Sequence, residues 1–170
     1  MKIFKFGGAS VNSVDRIRQV PGILRQYTGE KILVVISAMG KTTNALEKVV
    51  DAFFSGHREE ALALFGQIKE QHLTTAKYIL VRNYLACEAQ MKDFFTEVEW
   101  LLHDKPVRDY DYYYDQVVCV GELLSTSMMS AYFAECGIGN QWIDVRDIFR
   151  TDANFRDAVI DWEVTDRKVR

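Results

Sequence analysis

The sequence predicts an α/β fold in which helices layer on a mainly parallel sheet. Three observations carry that expectation. Residues 3–6 are short, apolar and β-prone, and they stop at Gly7-Gly8. Residues 31–36 contain an unbroken apolar run, β-branched from Val34 to Ile36, as in strands buried on both faces of a parallel sheet. Segments of helical period follow each of them, and strand–helix–strand–helix order is the signature of α/β layers. Such sheets bind ligands beyond the carboxyl ends of their strands. That rule points to Gly7-Gly8 and to residues 37–43.

After the first strand, Asn12 is positioned as an N-cap with Asp15 in the first helical turn. Val14, Ile17, Val20 and Leu24 recur near helical spacing, and Pro21 inside that pattern is expected to kink or break the helix. The second strand ends in the small-residue turn Ser37-Ala38-Met39-Gly40. Thr42 or Thr43 then caps a helix whose Leu46, Val49, Val50 and Phe53 form one apolar face, with Gly56 as its stop. Residues 58–103 read as two or three helices without recognisable chemistry, ended by Pro106. Residues 121–135 read as a helix rich in small side chains, closed by Gly137. Residues 141–145 are expected to form a third strand and residues 158–162 a fourth. The charged stretch 161–170 shows no evident terminal element.

The chain has 170 residues, enough for about one domain. No linker, repeat or internal boundary is visible. Its net charge of −3 gives no electrostatic footprint for nucleic acid. Apolar residues at 48% exclude wholesale disorder. No stretch approaches the roughly 18 consecutive apolar residues of a membrane helix, so no membrane partner is expected. Lys2 and Lys5 interrupt the first apolar run and two glycines follow, unlike a signal peptide. Cys87, Cys119 and Cys136 have no CxxC spacing and read as reduced, buried thiols of a cytoplasmic protein. His57, His72 and His103 show no metal-ligand spacing to them, so no protein metal site is expected.

Four motifs could carry chemistry. In KFGGAS, residues 5–10, Gly7 and Gly8 bring bare backbone amides close to a phosphate, and Lys5 can reach the same group with an ammonium charge. The competing reading is a tight strand-to-helix turn beside a surface lysine. In VISAMGKTTN, residues 35–44, Ser37 and Thr43 place hydroxyls near a helix N-terminus, where a carboxylate or phosphate fits. A plain helix cap explains the same threonines. Gly40-Lys41-Thr42 is not a nucleotide-binding P-loop, because that pattern needs glycine where Val35 stands. In GELLS, residues 121–125, Glu122 opens a helix, and spacing alone favours reading it as a first-turn acid that suits the helix dipole. In DVRDIFRTD, residues 144–152, Arg146 and Asp147 read as a solvated loop with local ion pairs. The tyrosine-rich stretch 110–115 has mostly acidic neighbours and indicates packing or a protein contact.

The order and spacing of these four motifs resemble those of aspartate kinases, in the amino acid kinase family, over residues 5–152. The lysine with two glycines is shared with kinases of other acidic substrates, whereas SAMGKTTN with GELLS is specific to aspartate kinase. The resemblance implies a three-layer α/β/α sandwich with a mainly parallel sheet. It implies phosphoryl transfer from ATP, with Mg2+, to the side-chain carboxylate of L-aspartate, at the entry to lysine, threonine and methionine biosynthesis. It implies that Lys5 stabilises the transferring phosphoryl group, and that Gly7, Gly8 and Ser10 lie along the ATP phosphates. Ser37, Thr43 and Glu122 would contact aspartate, Glu122 at its ammonium group.

Two departures stand out. Ala9 replaces the threonine usual in the motif, which removes a hydroxyl but keeps the backbone cradle. The chain is also much shorter than the family's enzymes. Residues 1–170 are therefore expected to be the amino-terminal portion of a kinase domain, without its second half or its regulatory ACT domains, and inactive alone. A homo-oligomer is expected for the full-length enzyme. The alternatives are another amino acid kinase and a non-catalytic module that binds amino acids or a partner chain.

Overall fold

In the computed structural model, which describes residues 1–169, β1 (Lys2–Phe6) and β2 (Ile32–Ile36) pair in parallel. Their register runs from Lys2 opposite Ile32 to Phe6 opposite Ile36. The crossover is α1 (Val14–Arg25), entered through a short 3-10 turn at Gly8–Val11. Six of the remaining helices follow in the order α2 (Thr42–Phe54), α3 (Arg58–Ile79), α4 (Tyr84–His103), α5 (Tyr110–Val118), α6 (Val120–Glu135) and α7 (Val145–Ile148). The last is α8 (Trp162–Val169).

One core joins the sheet to the helices. Phe6 and Ile36 point into it, with Leu46, Val49 and Phe53 of α2, Phe65 of α3, Met91 and Val98 of α4, and Leu124 and Met128 of α6. The apolar face expected for α2 is the one that is buried. Gly56 (φ +84) ends α2 and Gly137 (φ +74) ends α6, both in the left-handed region that lets a chain leave a helix. Residues 58–103 form two helices. The tyrosine-rich stretch is α5, and its rings pack internally: Tyr113 on Phe53 at 5.2 Å and Tyr112 on Phe155 at 5.2 Å. Together α5 and α6, Tyr110–Glu135, are long and apolar enough to cross a membrane, although polar residues interrupt the apolar run. Most of that segment is buried inside the protein, where it forms core.

Several expectations are corrected. β2 is not buried on both faces. Ile3, Leu33 and Val35 are 64%, 42% and 43% exposed, so helices cover one face of the sheet among the described residues. Residues 141–145 form no strand: Trp142 and Asp144 are partly buried in alternation with exposed neighbours, but no second strand pairs with them. Residues 158–162 contribute only an antiparallel bridge between Ile160 and Thr151. There Asp161 accepts from the Val164 amide at 3.0 Å through its side chain, which starts α8 in the stretch expected to have no element. Pro21 does not break α1, because its ring is buried in the core and the helix continues to Arg25. Ser13 rather than Asn12 caps α1, accepting from the Arg16 amide. Neither Thr42 nor Thr43 caps α2, whose N-cap position is Lys41.

All three cysteines are free thiols. Cys87 is buried, whereas Cys119 and Cys136 are only partly so. Burial pushes Cys87 and Cys119 up to about 11, which disfavours the nucleophilic thiolate.

His72 of α3 is wholly buried. Its Nδ1 lies 2.8 Å from the Ile68 carbonyl, and its Nε2 has no partner among the described residues. The proton therefore sits on Nδ1, and burial holds the group below its ordinary value of 6.5. With the native value below the unfolded one, the unfolded chain takes up the proton first as pH falls. Stability is then unaffected by His72 above about pH 6.5 and declines below it until the native value is reached. Urea unfolding at about pH 7.5 and about pH 5 should show this decline, and His72→Leu should flatten it. An acid slope identical in both proteins would assign the decline to other groups.

Candidate active site

The site is built where β1 and β2 end. Parallel pairing brings both carboxyl ends to one rim, and the ladder continues past the strands as the Ser37 amide donates to the Phe6 carbonyl at 3.0 Å. Two loops leave this rim and touch. The Gly40 amide donates to the Gly8 carbonyl at 3.1 Å, and Gly40 (φ +58) supplies the left-handed turn that makes the approach possible. A Cβ on Gly8 would lie 2.7 Å from the Ala38 carbonyl oxygen and 3.0 Å from that of Gly40. Gly7 is different, with open space around it and an ordinary extended conformation (φ −74, ψ 167).

The first turn of α6 closes the site from the other side. Glu122 Oε1 accepts from the Ala38 amide at 3.0 Å, and Ser125 Oγ donates to the Ser37 carbonyl at 2.9 Å. Gly121 lets the helix come this close. A Cβ there would be 3.0 Å from Ala38 Cβ, 3.2 Å from Leu46 Cδ1 and 3.3 Å from Thr42 Cγ2.

Gly8, Ser37 and Glu122 are thus joined through backbone and carboxylate hydrogen bonds. Ser10 sits in the adjoining 3-10 turn, where its amide donates to the Gly7 carbonyl at 2.8 Å. The preceding amides of that turn, on Gly8 and Ala9, are the ones a helical start leaves without intrahelical acceptors. Lys5 pairs with Val35 near the same rim and is exposed on the open face of the sheet. The ion pairs among the described residues all lie elsewhere, so its ammonium is not neutralised by a carboxylate. Thr43 is half-buried in the first turn of α2. Its neighbour Thr42 is buried and turns its hydroxyl back to the Met39 carbonyl at 2.6 Å.

With backbone amides, hydroxyls, an ammonium and one carboxylate at a single rim, the arrangement suits an anionic ligand that also carries a positive group. The amino acid kinase family's sequence profile matches residues 1–168. The chain belongs to the amino acid kinase family. It is 32% identical over 165 residues to the chloroplastic aspartokinase 2 of Arabidopsis thaliana, covering 93% of this chain and 29% of that protein. It is 28% identical over 159 residues to the aspartokinase of Chlamydia trachomatis, covering 94% of this chain and 34% of the relative. The fold matches that of E. coli aspartokinase III solved with lysine and aspartate, with a TM-score of 0.84 at 23% identity over 99% of this chain and 37% of the other. The same enzyme with aspartate and ADP gives 0.81 at 24% identity. The chain spans about a third of the length of these relatives.

Within this amino acid kinase family member, sequence reading missed the residues that connect the motifs. Ser125, Thr126 and Trp142 had no assigned role. The small-residue character of α6 was the available signal, since a helix of small side chains can approach a loop closely. An open depression of about 230 Å³ between α4 and α6, lined in part by Asn83, Cys87, Ser130 and Asn140, lies away from the strand ends. Among its polar groups, Ser130 is paired with Asn140 and Asn83 with the Ala131 carbonyl.

Proposed function

We propose that this chain carries the aspartate-binding and phosphate-facing part of an aspartate kinase, which transfers the terminal phosphoryl group of MgATP to the side-chain carboxylate of L-aspartate. The observation that carries this reading is the convergence of Lys5, the Gly8 loop, Ser37 and Glu122 at one rim. The aspartokinase relatives support it. We take residues 1–170 as the amino-terminal portion of the kinase domain on the order of the sequence motifs; the chain covers about a third of those relatives.

The chemistry asks little of the protein beyond position and charge. An aspartate side chain ordinarily titrates at about pH 3.9 and is already ionised at neutral pH, so the acceptor needs no general base. In this reading Lys5 neutralises the phosphoryl oxygens in flight. Gly7, Gly8 and Ser10 lie along the phosphates, with, among the described residues, the Gly8 and Ala9 amides free to donate and the Ser10 amide committed to the Gly7 carbonyl. Ser37 and Thr43 offer hydroxyls to aspartate, and Glu122 meets its ammonium group. Among the described residues no group of three or more His, Cys, Asp or Glu side chains could hold a metal ion. In this reading magnesium enters with the nucleotide substrate.

Titration calorimetry with L-aspartate, L-glutamate and MgATP, beside a coupled assay of ADP release, tests the reading. The chain is expected to bind aspartate in preference to glutamate and to show no robust turnover alone. Failure to bind aspartate at millimolar concentration would defeat the substrate assignment. Robust turnover would defeat the expectation that this portion is inactive by itself.

A further inference from the structure

We propose that Thr126 and Trp142 are positioning residues for the Glu122 carboxylate, with residues 141–146 acting as a strap that ties α4 to the first turn of α6. The inference rests on the reading above only for what Glu122 finally contacts.

The hydrogen-bond directions are fixed by chemistry. An indole N–H can only donate, so Trp142 Nε1 donates to Thr126 Oγ1 at 3.0 Å. The single hydroxyl proton of Thr126 then goes to the Glu122 carbonyl at 2.7 Å. The strap is fastened to α4 at both ends. The Trp142 ring lies 5.9 Å from that of Phe94, and Arg146 Nη1 donates to Glu97 Oε2 at 2.8 Å. Arg146 also grips Asp144 within the strap at 2.8 Å.

Other α6 hydroxyls do different work. Ser125 also lies 3.2 Å from the Glu122 carbonyl, but its single hydroxyl proton goes to the nearer Ser37 carbonyl at 2.9 Å, and Ser127 turns back to the Leu124 carbonyl. Thr126 instead links the peptide of Glu122 to an element outside α6. Glu122 is thereby held twice, at its carbonyl through Thr126 and at Oε1 through the Ala38 amide. Its other oxygen has no protein hydrogen bond among the described residues. Two tethers on one residue fix where the remaining oxygen is presented, which a site for a small zwitterion requires. Within the strap, Arg146 and Asp144 form the local ion pair expected of this segment, and Trp142 connects the strap to α6.

Three variants separate positioning from general stability. Thr126→Val removes the hydroxyl with little change of shape, Thr126→Ser keeps it, and Trp142→Phe removes the indole donor while keeping an aromatic ring. Residue-resolved amide exchange of Ala38, with Leu46 and Val49 as references, is measured beside the dissociation constant for L-aspartate. Ala38 is expected to exchange about tenfold faster in Thr126→Val and Trp142→Phe, with the references unchanged and Thr126→Ser like the parent. Aspartate affinity should weaken by a similar factor in the same two variants. An unchanged Ala38 amide overturns the proposal, as does equal acceleration of Ala38 and the references, or failure of Thr126→Ser to restore slow exchange. If Ala38 responds as expected while the parent chain does not bind aspartate, the positioning pair stands and the substrate reading falls.

Discussion

Lys5→Ala is expected to slow aspartate-dependent ADP release by at least about 100-fold in a polypeptide of the relatives' full length that carries residues 1–170. The expectation follows from where the strand register puts this side chain. Phe4 and Phe6 alternate toward the helices, so Lys5 between them points to the open face at the rim. Its removal opens no cavity, and stability should change by no more than about 0.5 kcal/mol. No carboxylate pairs with it among the described residues, so its charge is available to a phosphoryl group that gains negative character in the transition state. An interaction realised mainly there should lower kcat while leaving the KM for aspartate nearly unchanged. Lys5→Arg should recover only part of the rate, because the guanidinium fork is longer and planar where a compact ammonium is needed. Steady-state kinetics with both substrates varied checks this. Near-normal kcat in Lys5→Ala, or a change confined to the KM for aspartate, would remove Lys5 from the role given to it.

How much of this was legible in the sequence depends on the range of the interaction. Local signals read well for the apolar face and the helix stops but not for the helix starts, where Ser13 and Lys41 rather than Asn12 and Thr42 or Thr43 hold the N-cap positions. The apolar face of α2 and the glycine stops at Gly56 and Gly137 each depend on residues within a turn or two, and the structure places them as expected. Non-local pairing read poorly. Residues 141–145 have apolar positions on both sides of an alternating segment, yet a strand needs a neighbour, and here Trp142 turns to Thr126 instead. Residues 158–162 looked β-prone because Val159 and Ile160 are β-branched, but the Asp161 side chain starts a helix. The unbroken apolar run of β2 suggested two covered faces, and only one is covered. The motifs of the site were recognisable as separate words. The bond that joins two of them, from the Ala38 amide to Glu122, spans 84 positions of sequence, and no local pattern encodes it. The same holds for Gly8, whose lack of a side chain reads as a phosphate cradle until the Ala38 carbonyl is seen beside it.

That distinction sets the second large expectation, in which the two adjacent glycines behave differently. Gly8→Ala would put a Cβ 2.7 Å from one backbone carbonyl oxygen and 3.0 Å from another. Neither oxygen belongs to a flexible side chain. The 38–40 loop is held by the Gly40 amide on Gly8, by Ser125 on Ser37 and by Glu122 on Ala38, so relief requires breaking at least one of these bonds. Overpacking against fixed atoms costs about 1–3 kcal/mol, and a lost buried hydrogen bond adds about 1 kcal/mol. Gly8→Ala should therefore destabilise the chain by about 2–4 kcal/mol and abolish ligand binding at the rim. Gly121→Ala should be milder, because no contact is closer than 3.0 Å, to Ala38 Cβ, and the other two, at 3.2 and 3.3 Å, are with the side-chain ends of Leu46 and Thr42. Gly7→Ala meets nothing within 4 Å and keeps a backbone conformation open to any residue, so its stability should stay within about 0.5 kcal/mol of the parent. If Gly7 matters, it matters through nucleotide approach alone, visible as a raised KM for ATP at unchanged stability. Urea unfolding of the three variants decides the matter, and a Gly8→Ala chain as stable as the parent would show that the two loops are not packed against each other at this rim.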